Sequence, residues 1–258
     1  MGQIHYREVA GPALGGAEAL LLLHQTADSS TQFAELLPEL AGRVRTIAVD
    51  TPGYGDSDRL PAGAEPPTIA DYARAMVELL AALGIGRVAM LGTHTGAAIA
   101  LEFAASRPAL VERLVLSGLP DYEPGERPAK IASAVDSPPL DDDGAHLRAA
   151  WERAADPMWG RDDLVQITRA AVDSVRALPD RHHGPLAVFH FEGRTRIPLV
   201  EAPTMLLYGD RDLFAERQSA LAALFADGRA ERMAGTGASP MQHRPADYAR
   251  RLLAFLEG

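Results

Sequence analysis

Apolar residues fall in blocks along this chain, and the block lengths predict its elements. Ala19–Leu23 (ALLLL) is a continuous apolar run, too short for a helix and suited to a strand buried on both faces. Phe33–Leu40 spaces its apolar residues three and four apart, which predicts a helix. Val44–Asp50 (VRTIAVD) predicts a second strand, closed by the turn-rich TPGYGDSD. Ile69–Leu83 has helical spacing and is followed by Gly84, a C-cap candidate. Val88–Leu91 predicts a third strand, Thr95–Ser106 a helix stopped before Pro108, and Val111–Ser117 a fourth strand.

The rhythm then breaks. Residues 121–200 hold both tryptophans, the acidic run Asp141–Asp143 and several helical patterns, of which Asp162–Leu178 is the clearest. Alternation resumes with a strand at Thr204–Tyr208, a helix near Glu216–Leu224, a short strand near Ala230–Met233 and a helix from Pro245 to Glu257. Strands alternating with helices predict an α/β fold with a mostly parallel sheet flanked by helices on both faces. Residues 1–120 and 201–258 form the expected core, and 121–200 an inserted helical cap. Ligands of such sheets bind beyond the carboxyl ends of the strands. The loops HQTADS, DTPGYGDSD, GTHTGA, SGLPDYE and YGDRDLF are therefore where chemistry is expected.

Composition narrows the function. The 258 residues are 47% hydrophobic, ample for a large core. A net charge of −10 disfavours a nucleic-acid partner or an anionic membrane surface. The absence of cysteine removes disulfides, thiolate metal sites and a cysteine nucleophile. The N-terminal stretch lacks a basic segment followed by an apolar run, and ALLLLHQTA is too short to span a bilayer, so a cytoplasmic protein is expected. No compact His/carboxylate spacing suggests a metal, and no cofactor is called for. The expected partner is a small-molecule substrate.

The stretch GTHTG at 92–96 joins a buried strand to a helix. Glycines on both sides permit a tight turn that exposes the middle side chain above the sheet, and the following N–H opens a helix. Together with HQT, DTPGYGDSD, YGDRD and GASP in this order, the chain resembles the α/β-hydrolase superfamily over nearly its whole length. The resemblance implies the cap just described. It also implies roles for particular positions. His94 stands where the family carries its nucleophilic serine, Asp212 matches the acid, and Ala238 stands where the catalytic histidine is usual. Thr95 N–H matches one oxyanion donor, and the His24-Gln25-Thr26 loop supplies the second, from Thr26 or Gln25. Asp210 is expected to brace its loop.

A large residue has thus replaced a small one on one loop, and the reverse has happened on a facing loop. We expect the His94 imidazole to occupy the space vacated at Ala238 and to hydrogen-bond Asp212. Such a dyad acts as a general acid or base, since imidazole titrates near neutrality. Candidate substrate-lining residues are Tyr54, Trp151, Trp159, His183, Phe189, His190, Ala238 and His243. The expected substrate is small, largely apolar, and carries a carbonyl, ester or lactone group. Hydrolysis and a lyase or cyclase reaction both fit. So do a ligand-binding protein without turnover and a hydrolase using His243 as its base.

Overall fold

The computed structural model describes residues 2–60, 66–135, 140–161, 163–178 and 180–258. Its centre is a seven-stranded sheet: β1 (Tyr6–Val9), β2 (Ala19–Leu23), β3 (Thr46–Val49), β4 (Val88–Thr93), β5 (Val111–Ser117), β6 (Thr204–Gly209) and β7 (Gly228–Met233). The spatial order is β1-β3-β2-β4-β5-β6-β7, with β1 antiparallel to β3 and every other pair parallel. Strand β1 was not expected. It is a four-residue edge strand with its two central residues exposed, so it leaves no apolar run to read.

The helices are α1 (Leu37–Leu40), α2 (Ile69–Leu83), α3 (Thr95–Ser106), α4 (Arg127–Val135), α5 (Ala145–Ala154), α6 (Leu164–Arg176), α7 (His183–His190), α8 (Gly193–Arg196), α9 (Ala215–Ala222), α10 (Pro240–His243) and α11 (Pro245–Glu257). The helix expected over Phe33–Leu40 is instead a 3₁₀ turn at Ser30–Phe33 followed by the short α1. Pro38 supplies no N–H, so a helix running through it would lose a backbone bond; placed in the first turn of α1 it costs nothing. Helix α2 is delimited by side chains. Thr68 and Asp71 form a reciprocal capping box at its start, and Gly84 ends it in the left-handed region at φ 68°.

The unbroken apolar runs have a direct cause, because both faces of the sheet are buried. Leu21, Leu23, Val49, Met90, Leu114 and Leu116 pack on one side with α2 and α3. Leu20, Leu22, Ala48, Leu91, Val115 and Met205 pack on the other with α1 and α11. Between β5 and β6 the described residues hold α4 to α8 and no strand. No helix among the described residues is long and apolar enough to cross a membrane.

The junction of β4 and α3 governs the rest. His94 N–H donates to Ser117 O at 2.9 Å, continuing the sheet, and His94 O accepts from Ala98 N–H at 3.0 Å, opening the helix. Between these bonds the backbone turns at φ 45°, ψ −109°. Among the described residues His94 is the one non-glycine with positive φ, a conformation that costs about 1–3 kcal/mol. Its flanks must be glycine. A Cβ on Gly92 would lie 2.2 Å from Gly96 O, and one on Gly96 would lie 2.1 Å from Leu23 O. Helix α3 thus starts in direct backbone contact with β2, and only hydrogen fits between them.

Gly96→Ala should therefore lower stability by about 2–4 kcal/mol, a fall of roughly 5–15 °C in Tm for a chain of this size. Thermal unfolding followed by circular dichroism measures it. A Tm within about 2 °C of the parent would show that the helix can shift at little cost.

Candidate active site

Imidazole and carboxylate meet at the end of the turn. His94 Nε2 lies 2.9 Å from Asp212 Oδ2, with side-chain exposures of 12% and 1%. A carboxylate only accepts, so the shared proton sits on Nε2. Nδ1 is left as the lone-pair nitrogen and has no hydrogen-bond partner among the described residues. Asp212 is held from its other side, since Oδ1 accepts from Phe214 N–H at 2.7 Å. The His94 ring is walled by Trp159 and Phe214, each with its ring centre 5.8 Å away.

Gly118 completes this corner, and its role is not readable from the loop SGLPDYE alone. A Cβ there would stand 2.5 Å from Asp212 Oδ2 and 2.7 Å from His94 Nε2, and its φ is +63°. The glycine leaves the space in which the dyad forms. Its loop is clamped by Gln218, whose Oε1 accepts from Leu119 N–H and whose Nε2–H donates to Leu119 O, both at 3.0 Å.

The dyad opens into a cavity of about 310 Å³. Thr26 and Thr95 line it beside His94, and Thr26 Oγ1–H donates to Thr95 Oγ1 at 2.9 Å. The N–H of Thr95 is the first of α3 and has no acceptor among the described residues. The two candidates for a second donor differ. Gln25 N–H is taken by Gln32 Oε1 at 3.0 Å, whereas Thr26 N–H has no acceptor among the described residues. Thr26 is thus the open one. The same wall carries Tyr122, Phe189 and Phe214, stacked edge to face at 5.1 and 5.2 Å about Tyr122. Burial pushes the Tyr122 phenol up to about 12.

Several expected residues lie elsewhere. His24 is 1% exposed and braces two loops: Nδ1–H donates to Gln25 O at 2.8 Å, and Nε2 accepts from Thr51 N–H at 2.9 Å. With both nitrogens engaged it offers nothing to a ligand. Tyr54 is 3% exposed; its hydroxyl donates to Arg181 O and accepts from Gly184 N–H, tying the loop after β3 to α7. Trp151 is 39% exposed on α5. His183 packs against the His182 ring, and His190 is exposed at the end of α7. None of these five lines the cavity, although Trp159 and Phe189 do.

Ala238 and His243 are shut off by one feature, the turn Pro157–Trp159. Ala238 N–H donates to Met158 O at 2.8 Å, and Ser239 N–H to Trp159 O at 3.2 Å. Gly160 packs over Gly237 and His243, and Trp159 lines the cavity, whereas Ala238 and His243, both expected there, do not. Asp210 braces its loop, accepting from Gly235 N–H at 2.9 Å and Thr236 N–H at 3.1 Å. Sequence reasoning missed Arg153, Arg181, His182, Ser174, Tyr122 and Phe214 as lining residues. They come from α5, α6, the turn ahead of α7 and the loops after β5 and β6, with no common spacing.

One group of possible metal ligands lies close together among the described residues: His5, Asp50 and Asp56. Asp50 is already saturated there. It accepts from Ser30 N–H at 2.6 Å, Asp56 N–H at 2.9 Å and His5 Nδ1–H at 2.7 Å. Burial pushes its carboxyl up, but the hydrogen bonds from Asp56 and Ser30 outweigh it and hold the group below the usual range. This is a bracing carboxylate of the loop after β3.

Comparison with known proteins agrees with this architecture. An uncharacterized protein of Mycobacterium tuberculosis is 39% identical over 102 residues, which are 40% of this chain and 29% of that protein. A 2-hydroxy-6-oxononadienedioate/2-hydroxy-6-oxononatrienedioate hydrolase of Pseudomonas putida is 33% identical over 120 residues, 45% of this chain and 40% of the enzyme. The chain thus spans well under half the length of both. The enol-lactonase of Burkholderia xenovorans LB400 superposes with a TM-score of 0.78 at 21% identity, covering 99% of this chain and 96% of that one, a likeness of fold. A helix-flanked, mostly parallel sheet, a strained glycine-bounded turn after β4 and a match of residues 18–240 to the family model place this chain in the alpha/beta hydrolase fold family.

Proposed function

We propose that this chain is an enzyme in which the His94–Asp212 dyad activates water against the carbonyl of a small ester or lactone. The observation that carries the reading is the 2.9 Å contact between His94 Nε2 and Asp212 Oδ2, which leaves Nδ1 as the free base at a cavity wall. In this reading His94 replaces the family's serine nucleophile, and no covalent intermediate forms. Nδ1 takes a proton from water as the water oxygen bonds the carbonyl carbon. The carbonyl electron pair moves onto oxygen, where Thr95 N–H and Thr26 N–H hold the negative charge. Asp212 stabilises the imidazolium. Collapse of the tetrahedral adduct breaks the bond to the leaving oxygen, which takes the proton back from Nδ1. Water and ester give acid and alcohol, and a lactone gives the ring-opened hydroxy acid.

Nδ1 is the ring nitrogen nearer its own main chain, so the proton is handled beside the start of α3, whose N-terminal field favours the developing oxyanion and opposes the imidazolium, and the Asp212 carboxylate offsets that opposition. Hydrolysis is preferred over lyase or cyclase chemistry because the similar proteins above are named as a hydrolase and a lactonase. The His243 route lacks support, since the 157–160 turn separates that residue from the cavity. We read 121–200 as a cap over a core of 1–120 and 201–258, because most of the cavity wall comes from that segment.

His94→Ala should lower kcat on a panel of 4-nitrophenyl esters and lactones by roughly 10²–10⁴-fold, with an unchanged melting curve. Asp212→Asn should cost on the order of 10²-fold or more, through loss of imidazole orientation. Parent-level turnover in His94→Ala would sink the dyad. Gly118→Ala, which drives a methyl into the dyad, should reduce kcat at least about tenfold, well beyond its effect on KM. An unchanged kcat would mean that the His94–Asp212 contact is not needed for turnover.

A further inference from the structure

The cavity lining carries an unusual charge arrangement. Arg181 is 8% exposed and sits in the 3₁₀ turn Asp180–His182 ahead of α7. Its guanidinium makes one hydrogen bond, Nη1–H donating to Ser174 Oγ at 3.2 Å, and has no carboxylate partner among the described residues. Arg153, on α5, lines the same cavity and likewise has no carboxylate partner among the described residues. Burial first, then the positive charge of Arg153, pulls the Arg181 guanidinium below its usual range. Among the described residues no aspartate or glutamate lines the cavity.

This is unusual in a chain with 35 acidic and 25 basic residues. The other buried arginine of the site region shows the ordinary solution. Arg161 is 9% exposed, and its Nη2–H donates to Asp28 Oδ2 at 2.6 Å. An arginine buried without a counter-ion bears an uncompensated desolvation cost. The cost is offset when a ligand brings the negative charge. A guanidinium is a planar fork that matches a carboxylate with two parallel hydrogen bonds, and Ser174 already orients one of its nitrogens.

We propose that Arg181, assisted by Arg153, binds a carboxylate on the substrate, so that this site takes a carbonyl compound bearing a free acid group. The apolar wall of Met158, Val188, Phe189 and Phe214 then covers the carbon chain between the acid and the carbonyl at His94. This sharpens the largely apolar substrate expected from sequence into an amphiphilic one. It rests on the cavity being a substrate site, but its test reads binding and needs no turnover.

Isothermal titration of the full chain with hexanoate and with hexanamide decides it. These probes share size and shape and differ in charge. The parent should bind hexanoate at least tenfold more tightly than hexanamide. Arg181→Met, with folding checked by circular dichroism, should bring the two within about threefold. If that variant does not fold, Arg181→Lys keeps the charge, loses the fork, and should weaken hexanoate binding at least about threefold. Equal affinities in the parent, no binding of either probe, or a preference that survives in the folded variant would each overturn the proposal. Hexyl phosphate binding tenfold tighter than hexanoate would overturn the choice of carboxylate. Failure of the His94 reading is registered separately, by turnover of His94→Ala.

Discussion

The carboxyl edge of the sheet depends on a backbone turn that an ordinary residue does not adopt unaided. His94 is held at φ 45°, ψ −109° because its N–H and C=O are fixed, one to β5 and the other to α3. The strain persists because the surroundings over-determine it. Gly92 and Gly96 allow the strand and the helix to approach within backbone contact, and the helix is pressed on β2. The energy stored in one residue is set against the burial of two sheet faces, which is far larger.

Given that turn, the position of Asp212 follows from packing on the next strands. The loop after β6 is tied by Asp210 to the residues after β7 and by Asp212 Oδ1 to the first turn before α9. The carboxylate is presented to His94 by two independent restraints, which is what preorganisation requires. Gly118 contributes by having no side chain. The imidazole and carboxylate meet in the space a methyl would fill.

Polar groups near the site divide into those that are spent and those that are open. His24, Tyr54, Gln25 N–H and Asp50 are each fully engaged in joining loops to one another, so their proximity to the site is structural. Thr26 N–H, Thr95 N–H, His94 Nδ1 and the Arg181 guanidinium keep bonding capacity facing the cavity. A residue type in a loop cannot reveal this difference; it is decided by whether a partner has been found.

Much of the architecture was legible in the chain. Runs such as Ala19–Leu23 and Val111–Ser117, the spacing of Ile69–Leu83 and the glycines of GTHTG are local patterns with a single physical solution, and each lies where it was read. Tyr6–Val9 was not legible because an exposed edge strand needs no apolar pattern. The pairing of His94 with Asp212 could be anticipated, because each sits at a strand end and the sheet brings those ends together. What only the tertiary structure decided is the rest of the cavity wall. The turn at 157–160 displaced Ala238 and His243 from it, and Arg181 entered it without a counter-ion. Those outcomes depend on how helices inserted between β5 and β6 pack over loops more than 50 residues away in sequence. Side-chain complementarity sets that packing, and it leaves no periodic trace along the chain.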